Sequence, residues 1–251
     1  MNLEVVVGLS NLGPEGLPRD GDLAFDPMME REAAEQLLAS LRGVGARPPS
    51  LALAEPASPN GPRSMLARVN VQLRARGMPT HAEPAEAPPW QPTLPGPLPV
   101  EALLRLRRLM AHHLARPGMA VEPLPSGADP RADPVMEIAA VRRDNHLIHH
   151  GDAEGFYLPV SFSQVVHDPT GTTIPGGWVG SSHRLAEELR EIAPLLDLPP
   201  IEDGTAVPQH VIDRVMRDRD AAPFHLEERA WLLHTEAAAA SLRHGAAIVY
   251  R

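Results

Sequence analysis

The residues best equipped for chemistry fall in the run Asp144-Asn-His146-Leu-Ile-His149-His150-Gly-Asp152. Imidazole nitrogens and carboxylates are ordinary zinc ligands and ordinary proton-transfer groups. Wound as a helix, the run would place His146, His149 and His150 on one face, close enough to grip one ion. Its flanks instead predict strands. On a strand rising ~3.3 Å per residue, His146 and His150 stand ~13 Å apart, and His149 points to the opposite side. Only Asp144 and His146 could then share an ion, so a metal centre would need further ligands such as His167, Asp168 or His183. The candidate metal set is Asp144, His146, His150 and His167, supported by no HExxH or HxH motif.

A second candidate is Pro175-Gly-Gly-Trp-Val-Gly-Ser-Ser-His183, which runs into a predicted helix at 181–196. Glycines and serines at a helix start offer backbone N–H groups and a favourable dipole to an anion, which nominates Gly180, Ser181, Ser182 and His183. The simpler expectation is a turn at Gly176-Gly177, a close approach at Gly180, and a cap from Ser181 or Ser182. There is no GxGxxG fingerprint and no GxSxG elbow, and His183, adjacent to Ser182 on a helix, points about 100° away from it. The pairs Glu187-Glu188 and Glu227-Glu228 diverge on predicted helices for the same reason, and are expected on solvated faces.

The third candidate is a surface. The stretch 61–119 holds eight arginines against three acids inside a chain of net charge −9. An amphipathic helix over 100–116 stripes Leu103, Leu106, Met110 and Leu114 on one side and Arg105, Arg108 and His112 on the other. With Trp178, exposed by its glycine neighbours, these cations are the candidate partner-binding residues.

Composition narrows the chemistry further. Among 251 residues there is no cysteine and no lysine, all 23 cations being arginine, a pattern expected of a GC-rich genome. Disulfides, thiolate metal sites, Schiff bases and phosphate-loop lysines are thereby excluded. The acidic balance opposes general binding to nucleic acid or to an anionic membrane. No apolar run approaches the ~18 residues of a membrane span, and the opening residues lack a basic n-region, so a cytoplasmic location is expected.

The elements that must position these groups follow from periodicity. Strands are expected at 3–9, 51–54, 65–74, 135–141, 147–150 and 156–162, with an end strand at 246–250. Helices are expected at 28–42, 100–116, 181–196, 207–217 and 224–243, with Gly245 closing the last and Trp231 in the core. Eighteen of the 29 prolines lie between Pro48 and Pro134, and 77–99 reads as a proline-rich loop or linker. The mixture without strict βαβ alternation predicts an α+β fold, with an antiparallel sheet, several packed helices and a proline-rich central loop. A small unit at 1–76 and a main unit at 100–251 flank the loop, or the whole is one continuous domain.

The leading functional expectation is a non-enzymatic binding protein of the inhibitor, immunity or accessory-subunit type, needing no cofactor. Its partner would be another protein presenting an acidic surface. The alternatives are a metal- or histidine-assisted hydrolase, and a nucleic-acid accessory factor resting on the basic helix.

Overall fold

The computed structural model describes residues 2–12, 62–140, 144–149, 155–168, 174, 177–217 and 222–250. The helix expected over 28–42, the strand expected at 51–54, and His150 lie outside the described residues. In chain order the elements are β1 (Asn2–Leu3), β2 (Val5–Val7), α1 (Pro62–Ala75), β3 (Leu98–Pro99), α2 (Val100–Ala115), α3 (Pro134–Ala140) and β4 (Gly155–Leu158). They continue with β5 (Val166–His167), β6 (Trp178–Ser181), α4 (Ser182–Ile192), α5 (Gln209–Arg217), α6 (His225–His244) and β7 (Ile248–Tyr250). The fold is α+β.

The main sheet runs β2-β7-β4-β6-β5, while β1 and β3 form a separate antiparallel pair. It is not purely antiparallel, because β4 and β6 are parallel, with Tyr157 opposite Gly180. Side chains alternate between its two faces. Val5, Val7, Tyr157, Ile248 and Tyr250 pack with α2, α4 and α6, whereas Phe156, Leu158, Val179 and Val249 pack with Met65, Val69 and Leu73 of α1. With both faces covered, runs such as Val5–Val7 and Ile248–Tyr250 are apolar at every position.

Three strand expectations are overturned. Residues 65–74 are helical: Met65, Val69 and Leu73 recur every four residues and are buried, while Val71 is exposed. The alternation of Val69 and Val71 suggested a strand, yet valine costs a helix only a few tenths of a kcal/mol, and burial of one stripe outweighs that. Residues 134–140 are also helical. Pro134 occupies the first position, and the Asp133 carboxylate accepts the Val135 N–H at 3.1 Å, the usual N-terminal signature. Residues 146–149 form turns rather than a strand.

The stretch 77–99 is tied to its surroundings by side chains, as its many prolines leave few backbone donors. Asn70 bonds both the N–H and the carbonyl of His81, at 2.8 and 2.7 Å. Glu83 accepts the Leu9 N–H at 2.8 Å and the Ala247 N–H at 2.9 Å, joining the segments beside β2 and β7. Ala87, Leu94 and Leu98 enter the same apolar cluster as α2 and α6.

Gly180 shows why a strand residue here must lack a side chain. A Cβ would sit 2.5 Å from two ring carbons of Tyr157. Gly180→Ala is expected to cost ~1–3 kcal/mol by overpacking, lowering the melting temperature by about 2–10 °C in a calorimetric scan. An unchanged midpoint would mean that the Tyr157 ring moves aside freely.

Candidate functional site

Among the described residues of the histidine run, His146 and His149 do not gather with other ligands around a common point. The turn at 144–149 is the hub of a buried hydrogen-bond network. Glu188, on α4 and fully buried, accepts the N–H groups of His146 and Leu147 at 2.8 and 2.7 Å. Arg107 Nε donates to the Leu147 carbonyl at 2.8 Å, and the Tyr157 hydroxyl donates to the His146 carbonyl at 2.8 Å. The Ser181 N–H donates to His146 Nδ1 at 2.8 Å, which assigns the ring proton to Nε2. Burial lowers the His146 pKa to about 4, so the ring is neutral near pH 7. Burial also pushes Glu188 up to about 8, against the two N–H donors and Arg184, which favour its charged form.

Asp144 is exposed, whereas His146 is enclosed. His167 stacks on Trp178 with ring centroids 4.0 Å apart, and His149 flanks the same indole at 6.4 Å. Trp178 is therefore half-buried between imidazoles. Among the described residues no three or more histidines, aspartates or glutamates gather to hold a metal ion.

The helix start at 181–183 is sealed. Gly180, Ser181 and Ser182 are buried; the Ser181 hydroxyl donates to the Val160 carbonyl at 2.7 Å and caps α4 by accepting the Arg184 N–H at 3.4 Å. The hydroxyls of Ser182 and Ser241 lie 2.7 Å apart, and Ser241 donates to the Ala246 carbonyl. His183 is half-buried at the helix edge. The capping and close-approach expectations match this geometry, whereas the donors expected to face an anion are spent internally.

The arginine face of α2 is turned inward. Arg105 is 4% exposed and Arg108 is 6% exposed. Arg105 binds Glu101 at 2.8 Å and the carbonyls of Leu124 and Pro125 at 2.9 and 3.0 Å, with Glu227 at 3.8 Å. Arg108 binds Asp133 at 2.7 Å and the Glu122 carbonyl at 3.1 Å; His112 shares that aspartate oxygen at 2.8 Å. Desolvation works to raise the Asp133 pKa, but bonds from His112, the Val135 N–H and Arg108 outweigh it and hold it near 2. These guanidiniums fasten the 119–133 loop onto α2. Because they are satisfied there, this face does not present the cations from which an acidic partner surface was inferred. Glu188, Glu227 and Glu228 likewise correct the expectation of solvated carboxylates: all three are buried.

The stretch around α4 and α5 carries an excess of acids. Between 182 and 217 there are seven acids and four arginines. Arg184 lies against Glu187 and is 3.9 Å from Glu188; Arg190 is 2.9 Å from Asp203 and 3.7 Å from Glu202; Arg214 is 3.3 Å from Asp197 and 3.8 Å from Glu228. Three of the four arginines thus serve two carboxylates each, Glu188 and Glu228 among these being buried. Glu191, Asp197, Glu202, Asp203 and Asp213 are exposed along α4, the 197–208 connection and α5. Exposed pairs of this kind add only ~0–1 kcal/mol each to stability; their effect is to hold negative groups in place. Reading residue by residue passed over these acids, and the available signal was the net charge of −9 itself.

Residues 43–250 match a protein-family model described as "Putative DNA-mimic protein". The chain belongs to that family. No curated protein and no solved structure matches it. DNA-mimic membership overturns the leading expectation of an inhibitor-, immunity- or accessory-type binder capturing its partner through an arginine helix. It agrees in broad terms with the nucleic-acid-related alternative, although the helix that motivated that alternative is buried. No helix among the described residues of this DNA-mimic family member is long and apolar enough to cross a membrane.

Proposed function

We propose that this chain takes the place of DNA on the nucleic-acid-binding face of a DNA-binding protein. The carboxylates of α4, the 197–208 connection and α5 stand in for phosphates. Membership of the DNA-mimic family over 43–250 carries the reading. The physical requirement is a dense, positioned negative charge, since duplex DNA bears one charge per ~1.7 Å of its axis. A chain of net charge −9, with the exposed Glu202 and Asp203 both held by Arg190, supports that requirement. Residues 15–35, outside the family match, add seven acids against two arginines. The complementary partner face is basic, and electrostatic steering speeds its encounter.

The immobilised chain, offered proteins eluted from DNA-cellulose, is expected to retain a DNA-binding protein that duplex DNA displaces. Retention should fall steeply between about 50 and about 200 mM salt, as phosphate contacts do. Retention indifferent to duplex, or a gel shift showing that the chain itself binds duplex, would overturn the reading.

A further inference from the structure

Where the last turns of α2 meet residues 119–122 there is a cavity of about 160 Å³, lined by Arg108, His112, Arg116, Met119, Val121 and Glu122 among others. We propose that it binds a free α-amino acid with a short apolar side chain. None of these residues belongs to the acidic face, so the site goes beyond the function proposed above and stands or falls separately from it.

The buried wall supplies a fixed donor. Arg108 is 6% exposed, and Asp133 balances its charge. Nε is spent on that carboxylate and Nη1 on the Glu122 carbonyl. Nη2 makes no hydrogen bond among the described residues, and it is not one of the polar atoms sealed from solvent. With two of its nitrogens held, the guanidinium plane is set before any ligand arrives, and such a planar fork suits a carboxylate.

Two opposite charges line the same cavity without meeting. Arg116 and Glu122 are exposed, and neither side chain forms an ion pair among the described residues. His112 donates its Nε2 proton to Asp133, which leaves Nδ1 of the neutral ring as an acceptor. The charges of Arg108, Arg116, Asp133 and Glu122 sum to zero, which favours a ligand carrying both signs over a simple anion or cation. The carboxylate of an amino acid takes Arg108 Nη2 and Arg116; its ammonium takes Glu122 and His112 Nδ1.

Size and lining select the side chain. Met119, Ala120 and Val121 complete the wall, and the thioether of Met119 adapts to varied shapes. An apolar cavity of about 150 Å³ accepts benzene, so a branched aliphatic chain is the matching size.

The probe is L-leucine, titrated into the full chain carrying labelled methionine methyls, with binding read from the Met119 NMR signal and by calorimetry. A saturable shift is expected. 4-Methylpentanoate, which lacks the ammonium, and 3-methylbutylamine, which lacks the carboxylate, should each bind at least about tenfold more weakly. Arg116→Gln and Glu122→Gln should each weaken L-leucine about fivefold or more, while Arg74→Gln, exposed on α1, leaves it unchanged. Both pocket positions are at the surface, so circular dichroism of these variants should match the wild type.

An unmoved Met119 signal would mean that water alone fills the cavity and would overturn the proposal. Equal binding of 4-methylpentanoate would also overturn it, leaving a plain carboxylate site. Wild-type affinity in Glu122→Gln or Arg116→Gln would remove the two-charge recognition on which it rests.

Discussion

Glu188→Ala is expected to destabilise the protein by about 3–5 kcal/mol, read as a lower urea midpoint. Glu188 accepts the N–H groups of both His146 and Leu147, in a place water does not reach. Each donor orphaned by its loss costs ~1–3 kcal/mol, and the emptied volume adds to that. A loss below about 1 kcal/mol would show that water enters and replaces the carboxylate.

The same group shapes the response to pH. Glu188 titrates at about 8 in the folded chain, above its usual 4.5, so the folded form binds the proton more tightly. Its contribution is complete below about 4.5 and is lost as pH rises through about 8. His146 and His234 behave oppositely. Burial lowers each from 6.5 to about 4, so their contribution is complete above 6.5 and is lost as pH falls towards 4. Two histidines outweigh one glutamate on the acid side, so stability should peak near pH 6–7 and decline on both sides. Glu188→Gln should be less stable at the peak, because its amide offers one acceptor where two are needed, and should flatten the alkaline decline. An alkaline limb as steep as that of the wild type would assign the decline to another group.

The second large effect concerns the acidic face. The variant E191Q/E202Q/D203N/D213N removes four exposed negative charges with little change of shape. At ~0.5 kcal/mol for each exposed charge, binding of the duplex-displaceable partner should weaken about 30-fold, and its dependence on salt should become shallower. Circular dichroism and the urea midpoint should match the wild type, since these side chains are at the surface. Undiminished retention would place the mimicking charges elsewhere on the chain.

Helices with a clean apolar stripe or a terminal signal were legible in the sequence. The stretch 100–116, the serine-capped 181–196, and the last helix closed by Gly245 appear as α2, α4 with its short continuation, and α6. Trp231 is buried as periodicity placed it. These features depend on residues three or four apart, so a local pattern contains them. The segments at 65–74 and 135–141 failed because valines and alternating polar residues fit two periods, and neighbours resolved the choice. The Asp133-Pro134 pair was the local cue for the second helix.

The charged groups were the least legible. Composition alone determined that this chain is strongly acidic and lacks thiol and lysine nucleophiles, and the order of its periodic segments predicted an α+β fold. Which charges face solvent was decided only in three dimensions. Arg105 and Arg108 look like a solvated stripe along α2 until the 119–133 loop folds back with its carbonyls. Glu188 looks like half of an exposed pair until the 144–149 turn, some forty residues earlier, brings it two N–H groups. A charged side chain is buried or exposed according to whether distant backbone can satisfy it, and no local spacing records where that backbone will arrive.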